Sequence, residues 1–204
     1  MQFLPENDSL IELDVARPIW DHFYTVAPLV VIGTKERANY NLAPKHMATP
    51  LGMQNYFGFV CTPAHATYHN VKKEKSFTVS FPKPDQVVLA SLAALPRCGS
   101  VEEEKYIIKD IPTFPAKKIE APFLQQAYLF LECTLHKIVD DFGQHSLIAG
   151  EIVAAYIDEN YLRSFEKDDQ TMIYKWPMLV YLAYGRFATI QSTNVFPFPK
   201  NFKK

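Results

Sequence analysis

Two short stretches concentrate the residue types that bind anions and flat rings. In the first, Asn41-Leu42-Ala43-Pro44 leads into Lys45-His46-Met47-Ala48-Thr49-Pro50-Leu51-Gly52, so a cation, an imidazole, a hydroxyl and a glycine share one loop. Asn41 tolerates unusual backbone angles, while Pro44 fixes one φ and removes a donor. Such a loop can present backbone N–H groups to a ring edge or a phosphate. It reads equally as an ordinary proline-rich connection. The second stretch is Thr67-Tyr68-His69-Asn70, with His65 just before it and Lys72 and Lys73 behind. A helix starting there would aim free N–H groups and its dipole at an anion. Simple N-capping with solvated lysines accounts for the same residues.

Further on, His145 opens an apolar run and Glu151 interrupts it. His145 reads as a turn residue and Glu151 as a paired edge charge; either can instead face a ligand. The histidines show no metal-ligand spacing, and Cys61, Cys98 and Cys133 form no CxxC, so no metal site is expected. There is no GxSxG elbow, no GxGxxG after a strand and no GxxxxGK[ST].

The elements that must position these residues are mostly strands. Pro28 to Thr34 is a β-branched run, and a turn over Lys35 to Asn39 leads into Tyr40 to Pro44. Asn55 to Cys61 and Phe77 to Phe81 are two more strands. A short helix is expected from Thr67 to Lys75, capped by Thr67. A second is expected from Asp85 to Leu95, capped by Asp85, with Val88, Leu89, Leu92 and Leu95 on one face. Arg97 to Pro122 is irregular and carries the charge run Glu102-Glu103-Glu104-Lys105, which reads as a solvated face. Tyr128 to Val139 and His145 to Ile157 then form a long hairpin, with Leu129, Leu131, Cys133, Leu135 and Val139 alternating onto one face. Val180 to Ile190 closes the series as one strand. The order lacks the regular alternation of a parallel sheet, so a mainly β antiparallel barrel with short inserted helices is expected.

Length and charge narrow the function. The 204 residues fit one domain. A net charge of −1 argues against a protein devoted to nucleic acid. The acidic N-terminus lacks an apolar signal region, and no apolar run approaches a membrane span of about 20 residues. A soluble cytoplasmic protein is expected. Fifteen Phe and eleven Tyr suit a β-rich core and also a site for a flat ring.

Taken in order, these motifs resemble the flavin reductase-like, FMN-binding split-barrel family, which includes flavoredoxin-like proteins. The resemblance rests on Pro28 to Val31, Asn41 to Pro44, Thr67 to Val71 and Phe77 to Ser80. Downstream it rests on Ala121-Pro122, Leu131-Glu132-Cys133 and His145 to Val153. It covers roughly residues 15–190 and implies a single domain over 1–204. Ala38-Asn39, His46 and Asn55-Tyr56 stand where the family often has a glycine, a serine and two prolines. The implied cofactor is FMN, with NAD(P)H as co-substrate, in a homodimer that binds neither nucleic acid nor membrane. By resemblance, Asn41, Ala43, Pro44, Lys45, His46, Met47 and Thr49 would line the isoalloxazine side. Thr67 and Asn70 would take the phosphate, assisted by His65 or Lys45, and His145 would stand by the open face where nicotinamide delivers hydride. The flavin would carry the redox chemistry, so no catalytic triad is required. Two other readings stay open: an FMN-containing electron carrier that does not turn over NAD(P)H, and a split-barrel binding protein that has lost flavin.

Overall fold

The structure is a computed structural model that describes residues 10–95 and 105–199, apart from 165 and 184. Twelve strands and three α-helices occur among the described residues. The chain opens with β1 (Val26–Pro28), β2 (Val30–Glu36), β3 (Asn39–Lys45), β4 (Ala48–Pro50) and β5 (Tyr56–Cys61). Helix α1 (Ala66–Glu74), β6 (Ser76–Phe81) and α2 (Val87–Leu92) follow. Then come β7 (Thr113–Pro115), β8 (Pro122–Leu124), β9 (Leu129–Phe142) and β10 (His145–Ile157). Helix α3 (Asp169–Lys175), β11 (Met178–Leu182) and β12 (Arg186–Ile190) complete the order. Seven strands form one curled half-barrel sheet in the order β3-β2-β6-β9-β10-β5-β4. Every neighbouring pair in it is antiparallel, as the sequence led one to expect.

Strand β2 explains why its sequence is a continuous apolar run rather than an alternating one. Both of its faces are covered. Val30 and Ile32 point into the barrel core with Phe57, Phe59, Phe77 and Ile148. Val31 points the other way, into a second core with Leu42, Ala90, Ala93, Ile111 and Leu124. The β2–β3 hairpin turns through Arg37 and Ala38, and Arg37 takes the positive φ of 56° that a tight turn needs.

The long β9–β10 hairpin keeps the expected alternation as far as Leu135. Leu131 and Cys133 are buried in the barrel core, and Leu129 and Leu135 pack against it. The register then shifts between Ala149 and Gly150, and again beyond Leu147. Such irregularities move side chains to the other face, so Ile138 rather than Val139 packs on the core. Gly150 sits where the ring of Phe77 comes closest; any Cβ there would strike that ring. On the opposite face, Glu132 is fully buried and accepts from the N–H groups of Lys117, Lys118 and Ile119 at 3.1, 2.6 and 3.0 Å, and from the Tyr156 hydroxyl at 3.0 Å.

Four further expectations are corrected. Thr67 does not cap α1: His65 holds the N-cap position, and Thr67 lies inside the first turn with its side chain buried. Asp85 lies within a single 3-10 turn, Pro84–Gln86, ahead of α2, which starts at Val87. Its buried side is Ala90 and Ala93 with Leu89 and Leu92 against the second core, while Val88 and Leu95 are 63% and 44% exposed. The single strand expected over Val180 to Ile190 is two, β11 and β12, paired antiparallel and broken by a turn at which Gly185 has φ 74°. The stretch from Arg97 to Pro122, expected to be irregular, contains β7, which pairs antiparallel with β8 at its end. Cys98 and Glu102 to Glu104 lie outside the described residues.

Candidate functional site

The two motif stretches meet where α1 crosses the β2–β3 hairpin. Thr34 on β2 and Asn41 on β3 are register partners. Thr67 and Asn70 are three apart on α1 and so share a face. Asn41 Nδ2 donates to Thr67 Oγ1 at 3.5 Å, and Asn70 Nδ2 donates to Thr34 Oγ1 at 3.0 Å. Thr34, Asn41 and Thr67 are 0%, 4% and 2% exposed. One atom of this cluster is unmatched: Asn41 Oδ1 is buried without a hydrogen-bond partner. A buried acceptor in that condition costs about 1–3 kcal/mol. A hydroxyl-bearing ligand chain would supply the missing donor, which suits the ribityl portion of a flavin nucleotide.

Positive groups gather beside the cluster. Partial burial holds the His65 imidazole below its usual range, and the charges of Lys45, His145 and Lys105 push it the same way. Lys105 is fixed in place by donating to the carbonyl of Leu42 at 3.1 Å and to that of Ala93. Lys45, Lys105 and His145 therefore act electrostatically on His65 at the N-cap of α1, where the helix dipole adds to the field of the two lysines. A phosphate dianion fits such a setting.

The same corner is clamped from β9 and β10. Ser146 Oγ, fully buried next to His145, donates to Asp140 Oδ1 at 2.6 Å. The hydroxyl of Tyr68, next to Thr67, donates to the same oxygen at 3.1 Å. One carboxylate thus ties the start of β10 to the start of α1.

The loop after β3 splits its residues between two surroundings. Ala43 and Pro44 are half-buried strand residues opposite Ile32 and Val31. His46 packs against the Tyr181 ring with centroids 4.7 Å apart, and burial followed by the Lys45 charge lowers its pKa. Met47 is exposed, and its carbonyl accepts from Val60 N–H at 2.8 Å. Thr49 is exposed on β4 and donates to the Pro50 carbonyl at 3.2 Å. The structure therefore brings Asn41, Thr67 and Asn70 together in one cluster, with Lys45, His65 and His145 beside it. His46 faces β11.

Sequence reasoning missed Thr34, Lys105, Asp140, Ser146 and Tyr181. Lys105 was hidden at the end of a charge run, and Ser146 carried a signal only through its neighbour His145. Among the described residues, no group of three or more His, Cys, Asp or Glu is placed to hold a metal ion, and no helix is long and apolar enough to cross a membrane.

The model of the family described as "Flavin reductase like domain" matches residues 23–189. An uncharacterized protein of Methanothermobacter thermautotrophicus is 24% identical over 142 residues; the match covers 65% of this chain and spans only 64% of that relative's length. The solved flavoredoxin of Methanosarcina acetivorans superposes with a TM-score of 0.73 at 20% identity, covering 95% of this chain and 97% of its own. An FMN-binding protein from Thermus thermophilus gives 0.72 at 22% identity, with 92% and 99% covered. An NADH:FAD oxidoreductase from Streptomyces globisporus gives 0.63 at 14% identity, with 80% and 86% covered. At these identities the structural likenesses establish the split-barrel fold.

Proposed function

Because the chain belongs to the flavin reductase-like domain family, we propose that it is an FMN-binding oxidoreductase that takes electrons from NAD(P)H. The observation that carries this reading is buried Asn41 Oδ1, which lacks a donor, beside an α1 N-cap at His65 on which the charges of Lys45, Lys105 and His145 act. That pairing of an acceptor for hydroxyls with a positive pocket matches a ribityl phosphate. In this reading Thr67, Asn70 and the start of α1 form the floor of the phosphate site, and His65 and Lys45 supply charge. Asn41 orients the ribityl chain, and the backbone from Ala43 to Thr49, with Met47 and His46, borders the ring. When bound, the flavin would supply the hydride-accepting chemistry. His145, exposed at the start of β10, would hold the nicotinamide side of the site. Its position is set through Ser146 and Asp140.

The reading extends to a homodimeric, cytoplasmic protein forming one domain. Exposed Trp20, Tyr24, Val26 and Phe196 offer apolar surface for a second copy. Purified protein is expected to be yellow and to release FMN on denaturation, and anaerobic mixing with NADH or NADPH is expected to bleach it. Light scattering is expected to give twice the chain mass. A yellow protein that neither nucleotide bleaches would be an electron carrier instead. A colourless protein that takes up no added FMN would be a barrel without flavin.

A further inference from the structure

A cavity of about 520 Å³ opens between α2, the end of β3 and the β11–β12 hairpin. That volume lies within the range of small-molecule sites. One wall is aliphatic, from Val88 and Leu92 on α2, and the other is aromatic, from Tyr181 and Phe187 on the hairpin. Among the described residues, the polar side chains that line it are His46, Ser91, Tyr181 and Arg186, and none of the lining residues is a carboxylate. Each of the four can donate a hydrogen bond. The Tyr181 oxygen accepts from Gly185 N–H at 2.7 Å, which leaves its own proton for another acceptor. Among the described residues, no carboxylate pairs with the Arg186 guanidinium, at the exposed start of β12. A slot with flat apolar walls, several hydrogen-bond donors and one guanidinium not paired with a carboxylate among the described residues complements a planar apolar ring that carries an anionic oxygen pair. Arginine binds such a pair through two parallel N–H bonds.

We propose that this cavity binds an aromatic monocarboxylate, with its ring between the α2 and hairpin walls and its carboxylate on Arg186. The site shares Pro44 and His46 with the residues proposed above to border the flavin ring, while Ser91, Arg186 and Phe187 lie outside that set. Competition with FMN therefore separates it from the flavin reading.

The probe is 2-naphthoate, titrated calorimetrically into the full chain, with 2-naphthalenemethanol as the uncharged control. One naphthoate per chain is expected to bind, more tightly than the alcohol. Arg186→Gln is expected to weaken naphthoate by roughly tenfold or more and to leave the alcohol unchanged. Ser91→Trp, which fills the slot from α2, is expected to abolish both. Unchanged thermal midpoints and FMN content in the two variants would show that neither the fold nor the flavin corner is disturbed. The proposal is overturned if naphthoate does not bind, as when a second copy covers the mouth. It is also overturned if Arg186→Gln affects acid and alcohol alike, or if Ser91→Trp leaves naphthoate binding intact. Competitive displacement of naphthoate by FMN would overturn it too, since the cavity would then be the flavin's own seat.

Discussion

Ser146 Oγ lies 2.6 Å from Asp140 Oδ1, and this hydrogen bond does more than any other to hold the Asp140 carboxyl below the usual carboxylate range. Burial opposes it, while the Tyr68 hydroxyl and the Lys72 charge act in the same direction. A carboxyl depressed on folding contributes stability that is complete above its unfolded value near 3.9 and is lost as pH falls through the folded value. Asp140→Asn is therefore expected to lower the urea midpoint at pH 7. The gap from wild type should narrow toward about pH 3. Midpoints that differ by the same amount at both pH values would reject this account.

Glu132 gives a second expectation. Burial pushes its carboxyl up, but the N–H groups of Lys118 and Lys117, the Tyr156 hydroxyl and the Ile119 N–H outweigh that and hold it low. Gln has a single acceptor oxygen, and its amide would turn a donor toward another donor. Glu132→Gln is expected to cost about 1.5–3 kcal/mol, the range for a hydrogen bond to a charged group. Tyr156→Phe, which removes one neutral donor, is expected to cost less. Equal losses in urea titrations of the two variants would contradict the assignment.

Thr67→Val tests the phosphate site. Its hydroxyl already meets Asn41 Nδ2, so it can serve either the ligand or the cluster. FMN binding is expected to weaken by roughly tenfold to a hundredfold, while riboflavin, which lacks the phosphate, should hold its affinity. The same loss for both ligands would leave the hydroxyl with Asn41 alone.

His65 sets the pH dependence of that site. Its folded pKa lies below the ordinary value because of burial and the positive charges of Lys45, His145 and Lys105. Folding therefore favours the neutral imidazole, and this contribution is present above about pH 6.5 and is lost as pH falls through the lower folded value. A bound dianion would reverse the shift, so binding should take up a proton. The FMN dissociation constant is expected to fall as pH drops from about 8 toward about 6.5, before the phosphate loses its second charge near pH 6. Riboflavin should show no such slope, and His65→Gln should remove it for FMN. A slope that survives in His65→Gln would assign the proton elsewhere.

The barrel was legible because its cause is local. The alternation of Leu129, Leu131, Cys133 and Leu135 is written in adjacent residues, and the core face follows from it. The alternation fails at Val139 because the register shifts depend on the partner strand, which periodicity does not record. Asn41, Thr67 and Asn70 were legible as motifs, although the buried contact between Asn41 and Thr67 joins residues 26 apart. Lys105 is placed by carbonyls on Leu42 and Ala93, a long-range cause with no trace in its neighbours. The break between β11 and β12 was missed because both sides are rich in β-formers and only Gly185 marks the turn.

Strand β2 gives one side chain after another to different interiors: Val30 and Ile32 to the barrel core, Val31 to the core beneath α2. The departure of β2 would remove a wall from both interiors at once. The two should therefore melt as a single cooperative unit rather than as separate foldons. The amides of Val31 to Gly33, paired on both sides with β3 and β6, should be among the last to exchange with deuterium, doing so only through global unfolding.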